Sequence, residues 1–341
     1  MKILYGVQGT GNGHLTRARV MAKAFKAKGI EVDWIFSGRE RSGFFDMEIF
    51  GDFKVYRGMT FITEHGKVNI LKTAWHTHIR EFLRNTKEVN VEGYDFIFND
   101  FEPVSAWAAR RAGKKVYGAS HQNAFHYDIP KENNNPVVGW FMRNFAPVDV
   151  AIGIHWHPYH TMILPPIVET SHYENVLTPK RYLVYLPFAS QEDIVPQLLE
   201  FPDYEFYIYL PIKTPSENKN VHLRPFSREG FQQDLHCCEG VICSAGFELP
   251  SEALHLGKKL LVKPVIGQTE QIANAIALEK LGYGSVAKKF DHATIANWLT
   301  LPPRSPMNYP NVAEAVVNWL VETKGENPEL LHEGLWEGIK L

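Results

Sequence analysis

The residues best suited to chemistry fall in two short stretches of this 341-residue chain. The first is Gly9-Thr10-Gly11-Asn12-Gly13-His14. Glycines at alternate positions let a backbone turn tightly and come close to a ligand, and the run leads into a helical pattern at Leu15–Lys28, whose N-terminus favours negative charge. His14 is a candidate general base, because an imidazole titrates near neutrality; the alternative is a histidine that only closes the loop. Further on, Tyr94–Asn99 reads as a strand that brings Asp100 and Glu102 to the same edge as His14. Asp100 can orient the imidazole, as in a base-plus-orienter pair, or cap the helical stretch at Val104–Ala112.

The second stretch runs from Cys243 to Gly257 and resumes at Gly267–Ala275. It orders as strand, small-residue turn, helix, strand, loop, helix. The turn Ser244-Ala245-Gly246 exposes backbone N–H groups able to hold a diphosphate without a metal. Pro250 suits a first helical turn, where its missing N–H costs nothing. Glu252 is expected in that first turn, placed to accept hydrogen bonds from a vicinal diol. Its alternative role is a dipole-stabilised acid worth about 0.3–1 kcal/mol. Glu270 and Gln271 open the next helix and can read further hydroxyls, or with Asn274 form a solvated face. Ser120-His121-Gln122-Asn123 follows another strand and can line the cleft from the His14 side, as can any polar loop.

These side chains need a scaffold that gathers loops at one edge. Strand-like runs at Lys2–Val7, Glu31–Phe36, Tyr94–Asn99, Lys115–Gly118 and Val148–Gly153 alternate with helical stretches. A second series begins at Tyr182–Pro187 and continues through Gln191–Leu199, Tyr204–Tyr209, Val221–Leu223, Gly240–Cys243 and Leu260–Val262. Such alternation predicts α/β architecture: two Rossmann-like, doubly wound parallel sheets, with ligands beyond the carboxyl ends of the strands. The expected units are 1–165 and 178–305, with a C-terminal segment 306–341 whose helix 311–323 crosses back to the first unit.

Composition narrows the function. The chain is 45% hydrophobic and 22% charged, which suits a globular protein. A net charge of −2 gives no reason to expect nucleic acid. No apolar run reaches the ~18–20 residues of a membrane span, and MKILYGVQGTG reads as a first strand, not a signal peptide, so a cytoplasmic location is expected. The stretch PVVGWFMRNFAP at Pro136–Pro147 suits a core helix between domains or a peripheral contact at the inner membrane face. A dinucleotide fingerprint would need glycine where His14 stands, and no Gly-Lys-Ser/Thr follows for a Walker loop. Cys237, Cys238 and Cys243 beside His236, and the pairs His76/His78 and His155/His157, match no metal pattern, so neither metal nor cofactor is expected.

Together the two stretches resemble motifs of glycosyltransferase family 28 and related GT-B enzymes, including the UDP-N-acetylglucosamine transferase of peptidoglycan synthesis. G-T-G-N-G-H-L is similar to that family's G-T-G-G-H-x-x-P, and residues 243–275 to its G-G-x-x-T-x-x-E-A-x-x-x-G-x-P…Q-x-x-N-A. The resemblance implies a GT-B fold and places Ser244, Ala245, Gly246 and Phe247 at the donor phosphates, Glu252 at the ribose, and Glu270, Gln271 and Asn274 at the transferred sugar. Ser190 resembles a serine that also faces the donor. Gly11, Asn12, Gly13 and His121 fall on the acceptor side, and His14 matches the histidine proposed as base. The departures are Ser244-Ala245 for paired glycines, Leu249 for threonine, Lys258-Lys259 for G-x-P, and Arg17 for the proline after the histidine. They set the chain in a separate branch, so sugar and acceptor do not carry over. Retaining relatives show two glutamates eight positions apart; Glu248 and Glu252 are four apart, which implies inversion. The expectation is therefore an inverting, metal-independent hexosyltransferase moving a sugar from a nucleotide-diphosphate sugar, a UDP-sugar first, to the hydroxyl of an acceptor that the sequence does not name, a lipid-linked molecule or a glycan being the candidates. The alternatives are an epimerase or hydrolase of nucleotide sugars on the same fold, or a non-catalytic binding protein.

Overall fold

The computed structural model describes residues 1–59, 63–64, 67–68, 79–131, 136–169, 171–332, 334–339 and 341. Lys2–Gln8 (β1) is apolar and buried on both faces, the signature of a central parallel strand. Beside it lie Glu31–Ser37 (β2) and Phe53–Tyr56 (β3). Thr63–Glu64 (β4) and Lys67–Val68 (β5) form a separate antiparallel pair. Phe96–Asp100 (β6), Val116–Ser120 (β7), Val150–Ile154 (β8) and Ile163–Leu164 (β9) complete the first sheet, ordered β3-β2-β1-β6-β7-β8-β9 with every pairing parallel.

The second sheet contains Arg181–Tyr185 (β10), Glu205–Leu210 (β11), Ser216–Asn218 (β12), Val221–Pro225 (β13), Gly240–Ser244 (β14), Lys259–Lys263 (β15) and Ser285–Val286 (β16). Its order is β12-β13-β11-β10-β14-β15-β16, with only the edge strand β12 antiparallel. Chain order reverses between β1 and β6 in one sheet and between β10 and β14 in the other. Crevices at such reversals are where doubly wound sheets bind ligands.

The helices that matter for the site are Asn12–Ala27 (α1), Ile79–Glu88 (α2), Pro103–Arg111 (α3), Pro136–Asn144 (α4), Gln191–Leu199 (α5), Arg228–Cys237 (α6), Glu248–His255 (α7) and Thr269–Lys280 (α8). His292–Leu299 (α9), Val312–Thr323 (α10) and Glu329–His332 (α11) follow. Helix α1 turns Leu15, Ala18, Met21, Ala22 and Phe25 onto one face of the first sheet. The opposite face is covered by Phe82 of α2 and by Val104, Ala108 and Ala109 of α3. Helix α10 packs on α1, and Trp319 meets Tyr117 of β7 edge to face at 6.0 Å. One apolar core thus runs from Ile3 and Phe98 through Val316 and Leu320 to Leu183 and Val262.

Candidate active site

The site grows from three strand ends. β1 passes through Gly9–Gly11 into α1, whose N-cap Gly11 has extended backbone (φ −112°, ψ 151°). The helix begins at Asn12, three residues before the expected Leu15, so Gly13 and His14 lie in its first turn and not in a loop. Glycine at position 13 has a steric reason: a Cβ there would stand 2.7 Å from Cγ of Glu248, the first residue of α7 in the second domain. The N-termini of α1 and α7 therefore meet across the junction.

β6 ends at Asp100, which is fully buried. Phe101, next along, has φ +56°, a conformation that costs a non-glycine residue about 1–2 kcal/mol. This kink sends Asp100 and Glu102 in different directions. Glu102 takes the cap of α3, accepting hydrogen bonds from the Val104 and Ser105 backbone N–H groups at 2.7 Å. Asp100 is thereby left to face His14, whose Nδ1 lies 2.8 Å from Asp100 Oδ1. An ionised carboxylate only accepts, so Nδ1–H donates and Nε2 keeps the lone pair.

Arg17, one helical turn beyond His14, explains why Asp100 stays ionised. Its Nε donates to Asp100 Oδ2 at 2.8 Å and its Nη2 to Oδ1 at 2.7 Å, while Nη1 reaches Glu248 Oε1 across the domains. Burial alone would push the Asp100 carboxyl up. Arg17 and His14 together more than reverse this and hold it below the usual carboxylate range. Burial pushes Glu248 well above its ordinary value, against the opposing charge of Arg17.

Around this group the helix ends form a pattern. Among the described residues, α3, α5, α6, α9 and α10 each have a side chain that caps the N-terminus. No side chain caps α1, α7 or α8. These helices follow β1, β14 and β15, and they begin at the junction of the two domains. Free first-turn N–H groups there are ready partners for an anion.

The family model described as glycosyl transferase family 1 matches residues 1–303. The chain belongs to glycosyl transferase family 1. It is a glycosyltransferase of GT-B architecture. The glycotransferase of kitacinnamycin shares the fold at a TM-score of 0.60 and 14% identity, covering 97% of each chain. SsfS6 of Streptomyces sp. SF2575, complexed with thymidine diphosphate, has a TM-score of 0.56 and 15% identity, covering 95% of this chain and 99% of its own. The spinosyn rhamnosyltransferase SpnG, complexed with spinosyn aglycone, has a TM-score of 0.53 and 14% identity over 97% of this chain and 98% of its own. No curated protein matches the chain in sequence.

In this glycosyltransferase the residues expected to face a donor divide into exposed and buried sets. Ser244 and Gly246 are half-buried at the junction, with Ala245 and Phe247 packed beneath. Ser190 is exposed, but its hydroxyl accepts from the Asp193 N–H and caps α5. Because α7 starts at Glu248, Pro250 is its third residue and Glu252 lies in the second turn, not the first. The Glu252 carboxyl is nearly buried, accepts from Gln232 Nε2 at 2.9 Å, and is pushed up to about 7 by burial. Glu270 is half-buried and accepts from Gln122 Nε2 at 3.1 Å.

Three expected contacts turn inward instead. Gln271 Oε1 accepts the Val265 N–H at 3.0 Å, which pins the β15–α8 loop. Asn274 is fully buried between His121 Nε2, 2.7 Å from its Oδ1, and the Ala245 carbonyl, to which it donates at 3.0 Å. His121 is also buried, with Nδ1 3.0 Å from the Ile154 carbonyl. It stacks on Phe247 with ring centres 4.1 Å apart, and Trp156 stacks on Phe247 at 4.8 Å. The Trp156 indole N–H donates to Ser251 at 2.8 Å. These residues fasten the domains together beneath the 244–247 turn, and Gln122 and Asn123 are buried beside them.

The remaining candidates take structural roles. His155 is buried and its Nδ1 accepts the Trp156 N–H, while His157 Nδ1 accepts from Tyr159. They follow the end of β8, so no shared strand face aligns them. His76 and His78 lie outside the described residues. Among the described residues no three His, Cys, Asp or Glu side chains converge as a metal site would require. Cys238 and Cys243 are buried, with the Cys238 thiol pushed up to about 12. In the 136–147 stretch, Met142, Phe145 and Ala146 enter the core beside Phe125 and Ile163, while Trp140 stays exposed. No helix of the described residues is long and apolar enough to cross a membrane.

Proposed function

We propose that this glycosyltransferase inverts the sugar it transfers, works without a divalent metal, and draws on a UDP-sugar. The His14–Asp100 pair carries the reading. His14 Nε2 takes the proton from an acceptor hydroxyl as that oxygen attacks the anomeric carbon. The bond from that carbon to the diphosphate breaks on the opposite face, and the diphosphate leaves with the electron pair. Asp100, fixed by Arg17, holds the imidazole tautomer and stabilises the imidazolium that forms. Residues 1–165 carry the acceptor side, residues 178–305 hold the donor, and 306–341 return to the first domain through α10.

The leaving charge is met by the uncapped N-termini of α7 and α8, with Ser244, Gly246 and Glu270 at their mouths and Glu252 available to the ribose. Backbone dipoles can replace a metal in this task. The family 28 likeness favours uridine, and the complex of SsfS6 with thymidine diphosphate makes thymidine the base to test against it. The acceptor is a hydroxyl of a glycan or a lipid-linked molecule presented from the Gly11–Gly13 side.

A thermal-shift series with UDP, thymidine diphosphate and UDP-sugars, with and without excess EDTA, tests this assignment. Ligand at 100 times its Kd should stabilise by about 2.7 kcal/mol, equally in chelator. Stabilisation that disappears in EDTA would overturn metal independence, and a preference for thymidine diphosphate would replace uridine.

A further inference from the structure

We infer that Arg17 is a positioning residue that sets the proton affinity of the His14–Asp100 pair and ties that setting to contact between the two domains. The observations are geometric. The Arg17 guanidinium is almost wholly buried and forks onto both oxygens of Asp100. Its remaining nitrogen reaches Glu248, the first residue of the uncapped helix in the donor domain. Nη2 also stands 3.1 Å from His14 Nδ1. With Nδ1–H committed to Asp100, that approach is a cation held against the ring and not a hydrogen bond.

This placement has a direct consequence for the base. A general base must be unprotonated when it meets the acceptor. A buried carboxylate beside an imidazole draws a shared proton onto the pair, and a permanent cation in contact with both groups drives it off. The ionisable groups facing Asp100 or Arg17 are Tyr5 from β1, His121 after β7 and Glu248 from α7, with Glu270 from α8 facing Glu248 and His121 behind them. Arg17 is the one guanidinium bonded to Asp100 among the described residues. Because it is also shared with Glu248, the cation is anchored from both domains where they meet.

The inference rests on His14 being the base, yet its test needs no turnover. Nitrogen-15 spectra of histidine-labelled protein, with His14→Gln assigning the His14 signal, report tautomer and titration midpoint directly. The wild type should show the Nδ1–H form. Arg17→Met and the hydrogen-bonding Arg17→Gln should raise the midpoint by about one to three pH units, the effect of removing a charge at this range. Arg17→Lys, which keeps the charge, should stay near the wild type. Arg17→Gln guards against a Met variant that fails to fold. A midpoint unmoved or lowered in Arg17→Gln, or raised as far in Arg17→Lys, would overturn the inference and leave the base role standing. Normal turnover in His14→Ala would remove the base role and leave the charge coupling measurable.

Discussion

Asp100 and Arg17 show how much a single position can disclose. Asp100 was legible because a strand of apolar residues ends there in a carboxylate, at the edge where His14 must emerge. Arg17 was not. In the sequence it marks only a departure from the proline that the resembling family carries after the histidine. Its partners lie 83 and 231 residues away, so only the fold reveals its burial. Asn274 differs in the opposite sense: the resemblance sets it at the transferred sugar, with a solvated helix face as the alternative, and its buried amide bonds His121 and the Ala245 carbonyl. Glu252 carries a prediction at this scale. Its carboxyl is pushed up to about 7 by burial, against an ordinary 4.5. A raised acid favours the folded state fully below its unfolded value and loses that contribution as pH rises through the folded one. Wild-type protein should therefore lose about 3 kcal/mol between pH 4.5 and 7 that Glu252→Gln does not. Denaturant unfolding at the two pH values checks this, and parallel profiles for the two proteins would contradict it.

At the scale of elements, alternating runs identified the central strands and the helices α1, α3, α5, α7 and α8, because each pairs an apolar period with a clear punctuating turn. Helix α6 was harder to see. It carries Gly230 in its first turn and few apolar residues beyond Phe231 and Leu235, so its pattern is weak until β13 and β14 bracket it. Boundaries moved where the start of a helix depends on tertiary contact: α1 begins at Asn12 because Gly13 can lie against Glu248. The turn between β14 and α7 is held in shape by Phe247, gripped between His121 and Trp156. Phe247→Ala should cost about 3–5 kcal/mol, as for other buried aromatic truncations, and should weaken UDP binding by releasing the turn. Chemical denaturation with calorimetric titration decides it. A loss below about 1 kcal/mol with unchanged affinity would show that the stack does not sustain the turn.

At the scale of the molecule, two doubly wound sheets bring their strand-order reversals together. The first supplies a His–Asp–Arg cluster whose Asp and Arg are buried, and the second an uncapped helix N-terminus, with Gly13 and Glu248 in contact between them. This division of labour was legible in outline, since the two motifs fall in separate alternating series. The contacts at the join were not, because Arg17–Glu248, His121–Asn274 and Trp156–Ser251 each link residues of different series. The division makes a separable prediction. On the proposed reading, donor affinity belongs to the second domain and proton removal to the first. UDP release from a UDP-sugar over a panel of acceptor alcohols, with UDP affinity measured in parallel, compares His14→Ala with the wild type. The account predicts affinity within a few-fold of wild type and turnover lower by about 10²–10⁴-fold, the size of general-base assistance. Near-normal turnover, or donor affinity lost in step with activity, would contradict it.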